Sequence, residues 1–350
     1  MRIAQVAPLY ESVPPKFYGG TERIVSYLTE ELVALGHDVT LFASGDSQTR
    51  ARLVAGCPQS LRLDPNCIDQ LAHHLLMLEW VVQQANRFDI VHFHLDYLHF
   101  PLSRRGAYRQ VTTLHGRLDI PDLPPLYREF PEMPLVSISD SQRLPLPSVN
   151  WRATVYHGLP RDLYRFRAEP GEYLACLGRI SPEKGIDHAI EIAKQVQIPL
   201  RIAAKVDRAD RDYFDNVIEP LLDDPIVDYI GEIGDAAKGE FLGHAKALLF
   251  PIDWPEPFGL VMIEAMACGT PVIAYASGSV PEVMEQGRTG FIVTGLTDAI
   301  DAVRRLPTLS RARCREVFEE RFTAERMARD YVDVYENLLA PPLKLAVQAS

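Results

Sequence analysis

Cysteine is scarce and scattered. The 350-residue chain carries five (Cys57, Cys67, Cys176, Cys268 and Cys314), an odd number without a C-x-x-C pair. That argues against a disulfide framework and a thiolate metal site, and suits a reducing compartment. No apolar run approaches the length of a membrane span. The chain opens directly on strand-like residues 2–7 with no leader pattern. A cytoplasmic protein is therefore expected, with peripheral membrane contact left open. Basic residues are in deficit, 36 Lys and Arg against 47 Asp and Glu, a formal net charge of −11. A broad electrostatic nucleic-acid footprint is not expected from that balance. Internal repeats and low-complexity tracts are missing too. What is present is a 47% hydrophobic composition, core enough for two domains of ordinary size.

One stretch organises the rest, running from Glu256 to Glu264. The apolar run 247–250 before it reads as a buried strand. Pro251, Pro255 and Pro257 punctuate a loop, and a helix is expected to open near Phe258 and stop at Gly269, with Pro271 just beyond. A strand–loop–helix unit of this kind aims a helix N-terminus at the mouth of a sheet, where unsatisfied N–H groups and the helix dipole favour an anion. Glu256 and Glu264 are eight residues apart, about 80° of net rotation and about 12 Å of rise on an ideal helix. Two carboxylates so placed can meet two hydroxyl-bearing groups with a phosphate-bearing segment between them, the layout of a nucleotide sugar. The plainer alternative makes Glu256 a charge at the helix start and Glu264 a solvated face residue.

The remainder has a regular rhythm. Residues 3–7 read as a strand, followed by a proline-rich loop through Phe17, Tyr18, Gly19 and Gly20, a helix over 24–35 and a strand over 37–43. This is a parallel-sheet signature. The glycine pair would let backbone N–H groups approach a phosphate, unless Thr21 is merely a helix cap. Residues 44–68 read as loop, then a helix over 69–86 and strands over 89–93, 110–114, 134–138 and 153–156. His115 and Gly116 follow one of these strands at its carboxyl end, where open parallel sheets bind ligands. His92, His94 and His99 read as packing residues rather than a metal site. A polar stretch over 161–171 marks a boundary. The second series has strands over 172–177, 200–204, 226–230, 272–274 and 290–293, helices over 186–196 and near 238–244, and three closing helices to residue 339. Arg179 and Lys184, in the loop expected after residue 177, offer a planar fork and a point charge suited to a diphosphate, or else surface ion pairs. Asp210, Arg211 and Asp212 fit D-x-D but read as solvated charge. Lys205, at the end of a strand, is a further candidate for a phosphate or base contact. The expected architecture is α/β, two doubly wound Rossmann-like domains facing a cleft, over 1–160 and 161–330, with 331–350 as helix end and tail.

Two runs are together highly specific: Gly-Arg-Ile-Ser-Pro-Glu-Lys-Gly over 178–185, and Glu-Pro-Phe-Gly-Leu-Val-Met-Ile-Glu-Ala-Met-Ala-Cys-Gly-Thr-Pro-Val over 256–272. With the Gly-Gly-Thr-Glu-Arg stretch over 19–23, they resemble the retaining glycosyltransferases of family 4, over nearly the whole chain. The resemblance implies a GT-B fold with the C-terminal helix crossing back to the first domain. It implies transfer of a sugar from a nucleotide diphosphate sugar (UDP-, GDP- or ADP-) to a hydroxyl acceptor, with no cofactor and no obligatory metal. It gives Arg179 and Lys184 to the diphosphate, Glu264 to the ribose hydroxyls and Glu256 to the donor sugar. Phe258, Gly259 and Leu260 become the helix start that meets sugar and phosphates, Gly19 and Gly20 the loop over the phosphate, and His115 the histidine beside the transferred sugar. His157-Gly158-Leu159 departs from the family's usual Asn-Gly-Val. A nucleotide-sugar epimerase, an α-glucan phosphorylase and a non-catalytic relative are the competing readings. The first two lose weight because of the family-4 motifs and because no Lys-based coenzyme site is identifiable, the last because Arg179, Lys184, Glu256 and Glu264 are all retained.

Overall fold

The computed structural model describes residues 1–16 and 19–341. Phe17, Tyr18 and the tail beyond 341 lie outside it. Among the described residues the strands form two sheets, both wholly parallel. The first holds β1 (Arg2–Val6), β2 (Asp38–Ser44), β3 (Arg52–Cys57), β4 (Ile90–Phe93), β5 (Gln110–Thr113), β6 (Leu135–Ser137) and β7 (Trp151–Thr154), in the order β3-β2-β1-β4-β5-β6-β7. The second holds β8 (Tyr173–Ile180), β9 (Leu200–Val206), β10 (Val227–Gly231), β11 (Ala245–Phe250), β12 (Val272–Tyr275) and β13 (Gly290–Val293), in the order β10-β9-β8-β11-β12-β13. The two halves repeat one winding scheme, with helices covering both faces. That is why their central strands are apolar without alternation.

Three expectations are corrected. Residues 44–68 are not all loop, because Arg52–Cys57 adds β3 at the sheet edge. Its first four residues are exposed or half-buried, beginning with Arg52, and Gly56 interrupts the buried end, so its apolar pattern is weak. The first helix begins at Gly20 rather than Ile24. Strand β8 runs three residues further than expected, so Arg179 stands on the strand, and only Lys184 is in the turn that follows.

The last helix, Ala324–Leu339, leaves the second domain and packs on the first. Tyr331 and Tyr335 are fully buried there. The Tyr335 hydroxyl takes a hydrogen bond from Gln5 Nε2 at 3.0 Å and lies 2.8 Å from His92 Nδ1, while Tyr331 meets Thr113 at 2.9 Å. The domains are joined a second time at Glu282, whose carboxylate accepts from the backbone N–H groups of Asp140 and Ser141 at 2.7 and 2.6 Å. Ser139 caps the same helix start.

Removing the Tyr335 hydroxyl strands two buried polar partners, a loss of about 1–3 kcal/mol. Tyr335→Phe should therefore shift the urea midpoint down. An unchanged midpoint would mean that the crossing helix is not seated on Gln5 and His92.

Candidate functional site

In both sheets the winding direction reverses at the first strand, between β1 and β4 and between β8 and β11. Ligands of open α/β sheets bind outside the carboxyl ends of strands at that crevice. Here the two crevices face each other across one cleft of about 600 Å³. All ten residues singled out from the sequence line it: Gly19, Gly20, His115, Arg179, Lys184, Glu256, Phe258, Gly259, Leu260 and Glu264. Six Lys and Arg and five Asp and Glu line it among the described residues. The acidic excess of the whole chain is thus locally reversed.

The organising helix spans Leu260–Cys268 and is buried beyond its first residue. It opens two residues later than expected because Gly259 first turns the chain with φ 77°, a left-handed conformation suited to glycine. A Cβ there would also lie 2.7 Å from Met262 Cε. Gly269 ends the helix at φ 83°, as expected. The first residue of the first-domain helix lies opposite: a Cβ at Gly20 would stand 3.6 Å from Leu260 Cδ1. Helix starts from both domains therefore meet at the cleft.

The cations are held by carboxylates. Lys184 Nζ lies 2.5 Å from Glu256 Oε2 and 4.9 Å from the centre of the Trp254 ring, whose Nε1 donates to the same carboxylate at 3.0 Å. Arg179 pairs with Glu183 at 2.7 Å and with Asp210 at 3.5 Å. Asp210 is thus more than solvated charge, since it braces Arg179. Lys205 pairs with Asp207 at 2.8 Å.

Glu264 is only 2% exposed, which removes the solvated-face alternative. Lys238 Nζ lies 2.9 Å from its Oε1 and 3.5 Å from Asp235, which also pairs with Arg23 of the first domain. Lys238 was not legible, being an isolated lysine on a short helix. Arg23 closes the Gly-Gly-Thr-Glu-Arg stretch and could have been marked by its place.

The histidines form a chain. His94 Nε2 lies 2.7 Å from Gln5 Oε1, an atom that can only accept, so that nitrogen carries the proton. Burial holds His94 neutral, well below the usual histidine range, which leaves Nδ1 bare to accept from His115 Nε2 at 2.9 Å. Burial also pushes His115 down to about 3, so it is a neutral ring protonated on Nε2. It is therefore not an acid or base at neutral pH. The other end of Gln5 donates to Tyr335, and His92 continues to Thr113 at 2.7 Å. His99 is engaged by Ser103 and Thr112, so all three strand-side histidines are packing residues. His157 stacks on His115, 5.3 Å between ring centres, and meets Phe258 edge-on at 4.9 Å. The departure from the usual Asn thus sits against the site itself. Among the described residues no group of three or more His, Cys, Asp or Glu could hold a metal ion. No helix of the described residues is long and apolar enough to cross a membrane.

Two family models match end to end, "Glycosyltransferase Family 4" over residues 18–165 and "Glycosyl transferases group 1" over residues 165–320. The chain belongs to these glycosyltransferases. N-acetyl-alpha-D-glucosaminyl L-malate synthase of Bacillus anthracis is 27% identical over 296 residues, 74% of this chain and 77% of that one. D-inositol 3-phosphate glycosyltransferase of Mycobacterium leprae is 33% identical over 173 residues, 45% of this chain but only 36% of that one. Among solved structures, AviGT4, a glycosyltransferase of avilamycin A biosynthesis, superimposes with a TM-score of 0.75 at 23% identity, over 97% of this chain and 98% of that one. Anabaena HepE in complex with UDP and glucose gives 0.76 at 18% identity, over 96% and 100%. The fold is GT-B, and the enzyme is a glycosyltransferase that binds a nucleotide diphosphate sugar and transfers the sugar to an acceptor.

The buried histidines of this glycosyltransferase set an acid limit. His92, His94, His99, His115 and His157 all have folded pKa values lowered by burial. The unfolded chain therefore takes up more protons below about pH 6.5, and stability present above that pH is lost as pH falls. Each ring that stays neutral costs about 1.4 kcal/mol per pH unit. The melting temperature should drop steeply between pH 6.5 and 5. A melt at pH 5 matching that at pH 7 would show that these rings titrate normally.

Proposed function

We propose that this enzyme transfers a hexosyl unit from a UDP-, GDP- or ADP-sugar with retention at the anomeric carbon, using the second domain for the donor and the first for the acceptor. The observation that carries the reading is the convergence of Arg179, Lys184, Glu256, the 258–260 helix start and Glu264 along one cleft. The hard event is departure of a nucleoside diphosphate. Fixed cations and aligned N–H groups stabilise the charge that grows on its phosphate. In this reading Arg179 and Lys184 receive the diphosphate, giving up part of their hold on Glu183 and Glu256. Glu256, released from Lys184, turns to hydroxyls of the donor sugar. Glu264, oriented by Lys238, accepts from the ribose hydroxyls. The Gly19–Gly20 helix start closes on the phosphate from the other domain, and His115 contacts the transferred sugar as a neutral ring. The departing phosphate oxygen takes the acceptor's proton on the same face, which gives retention. A double displacement through Glu256 is the competing mechanism, and it predicts a trapped glycosyl-enzyme. Five free cysteines and a nucleotide-sugar donor favour a cytoplasmic setting.

A nucleoside diphosphate alone should raise the melting temperature, and the rise should persist in EDTA. Loss of the rise in chelator, restored by magnesium or manganese, would show that the diphosphate is held through a metal.

Steady-state kinetics separate the assigned roles. Lys184 faces charge that grows only during bond breaking, so Lys184→Ala should act mainly on kcat, by about 10²–10³. The ribose does not change during reaction, so Glu264→Ala should act mainly on KM, with Glu264→Gln milder. A normal kcat in Lys184→Ala would remove that residue from the leaving group. A Glu264→Ala chain that fails to fold would make Glu264 a structural partner of Lys238.

A further inference from the structure

Asp96 stands three residues beyond β4, on the first-domain wall of the cleft. Its backbone is left-handed at φ 49°, one of two such non-glycine residues among those described. Strained backbone of this kind persists where the surroundings impose it, and it gathers at functional sites. Its side chain is open to the cleft. Unlike Glu256 and Glu264, it has no ion pair among the described residues. The protein crowded around the carboxyl raises it to about 6, and the nearby backbone N–H of His115 partly offsets that rise. It is therefore ionised at neutral pH.

The support beneath it is rigid. His115 is fixed through His94 and Gln5 to Tyr335 of the crossing helix. Its ring stacks on His157, which meets Phe258 beside the organising helix start. Asp96 is thus linked by packed rings to the wall given to the donor. Tyr10 and Tyr97 line the same side as Asp96, offering faces against which the C–H side of a sugar ring packs.

We propose that Asp96 holds the attacking hydroxyl of a polyhydroxylated acceptor, accepting a hydrogen bond from it across the cleft from the donor. The proposal rests on the donor reading above. The acceptor oxygen forms the new bond to the anomeric carbon. The old bond breaks, and its electron pair leaves on the phosphate oxygen. The acceptor's single proton, held toward Asp96 before reaction, turns to that same phosphate oxygen as the old bond breaks, so Asp96 is ionised before and after and serves to aim the lone pair.

The test uses water as acceptor, following slow nucleoside diphosphate release from UDP-glucose, GDP-mannose and ADP-glucose in the full chain. Asp96→Asn keeps the shape of the side chain, and Asp96→Gly suits the left-handed backbone. Both should melt at or above the wild-type temperature. Both should keep the wild-type thermal shift with UDP, GDP or ADP while donor hydrolysis falls at least about tenfold in kcat. Wild-type hydrolysis in Asp96→Asn would overturn the proposal. So would lower melting temperatures accompanied by a lost nucleotide shift, because Asp96 would then be a structural residue. If the wild-type chain shows neither a nucleotide shift nor hydrolysis, the donor reading fails, and this proposal fails with it.

Discussion

Two helices, one from each domain, begin at the same place, and the site is arranged around that meeting. A helix N-terminus carries roughly half a positive charge with unsatisfied N–H groups. Gly20 and Leu260 bring two such starts into contact range. They repel unless negative charge stands between them. Nearby carboxylates supply it: Glu22 in the first turn of one helix, and Glu256 ahead of the other. A diphosphate would supply it better. The same logic holds for the cations, each of which leans on a carboxylate while it waits. The chain is acidic overall and still keeps a near-neutral cleft, because six cations line it beside five carboxylates. In the proposed reading, donor binding is then an exchange of partners, which costs less than burying an unpaired diphosphate.

Much of this was legible, for identifiable reasons. The organising stretch could be read because its glycines and prolines have local causes: Gly259 and Gly269 both sit in left-handed backbone, and the prolines bound the loop. Central parallel strands could be read because burial on both faces leaves an unbroken apolar run. Strand β3 could not, since an edge strand with a half-exposed face carries a diluted pattern. Lys238 and Asp235 were invisible because their importance is tertiary: they matter through Glu264 and Arg23, distant in sequence. Asp96 carried a usable signal, its position past the end of a central parallel strand. Nothing in composition sets it apart from the histidines around it.

The crossing helix ties stability to the site more tightly than the fold class requires. A GT-B chain needs its last helix only to cover the first sheet. Here the helix also delivers the Tyr335 hydroxyl, and through Gln5 that hydroxyl fixes which nitrogen of His94, and then of His115, carries the proton. The direction of the chain has a physical preference. Reversed, it would leave a proton on His115 Nδ1, a buried atom with no partner in the described structure. In the forward direction the same atom is a bare lone pair, and an unsatisfied acceptor is the less costly of the two. The backbone N–H of this same histidine lies near the Asp96 carboxyl. The helix that joins the domains thus also sets the polarity of the wall facing the donor.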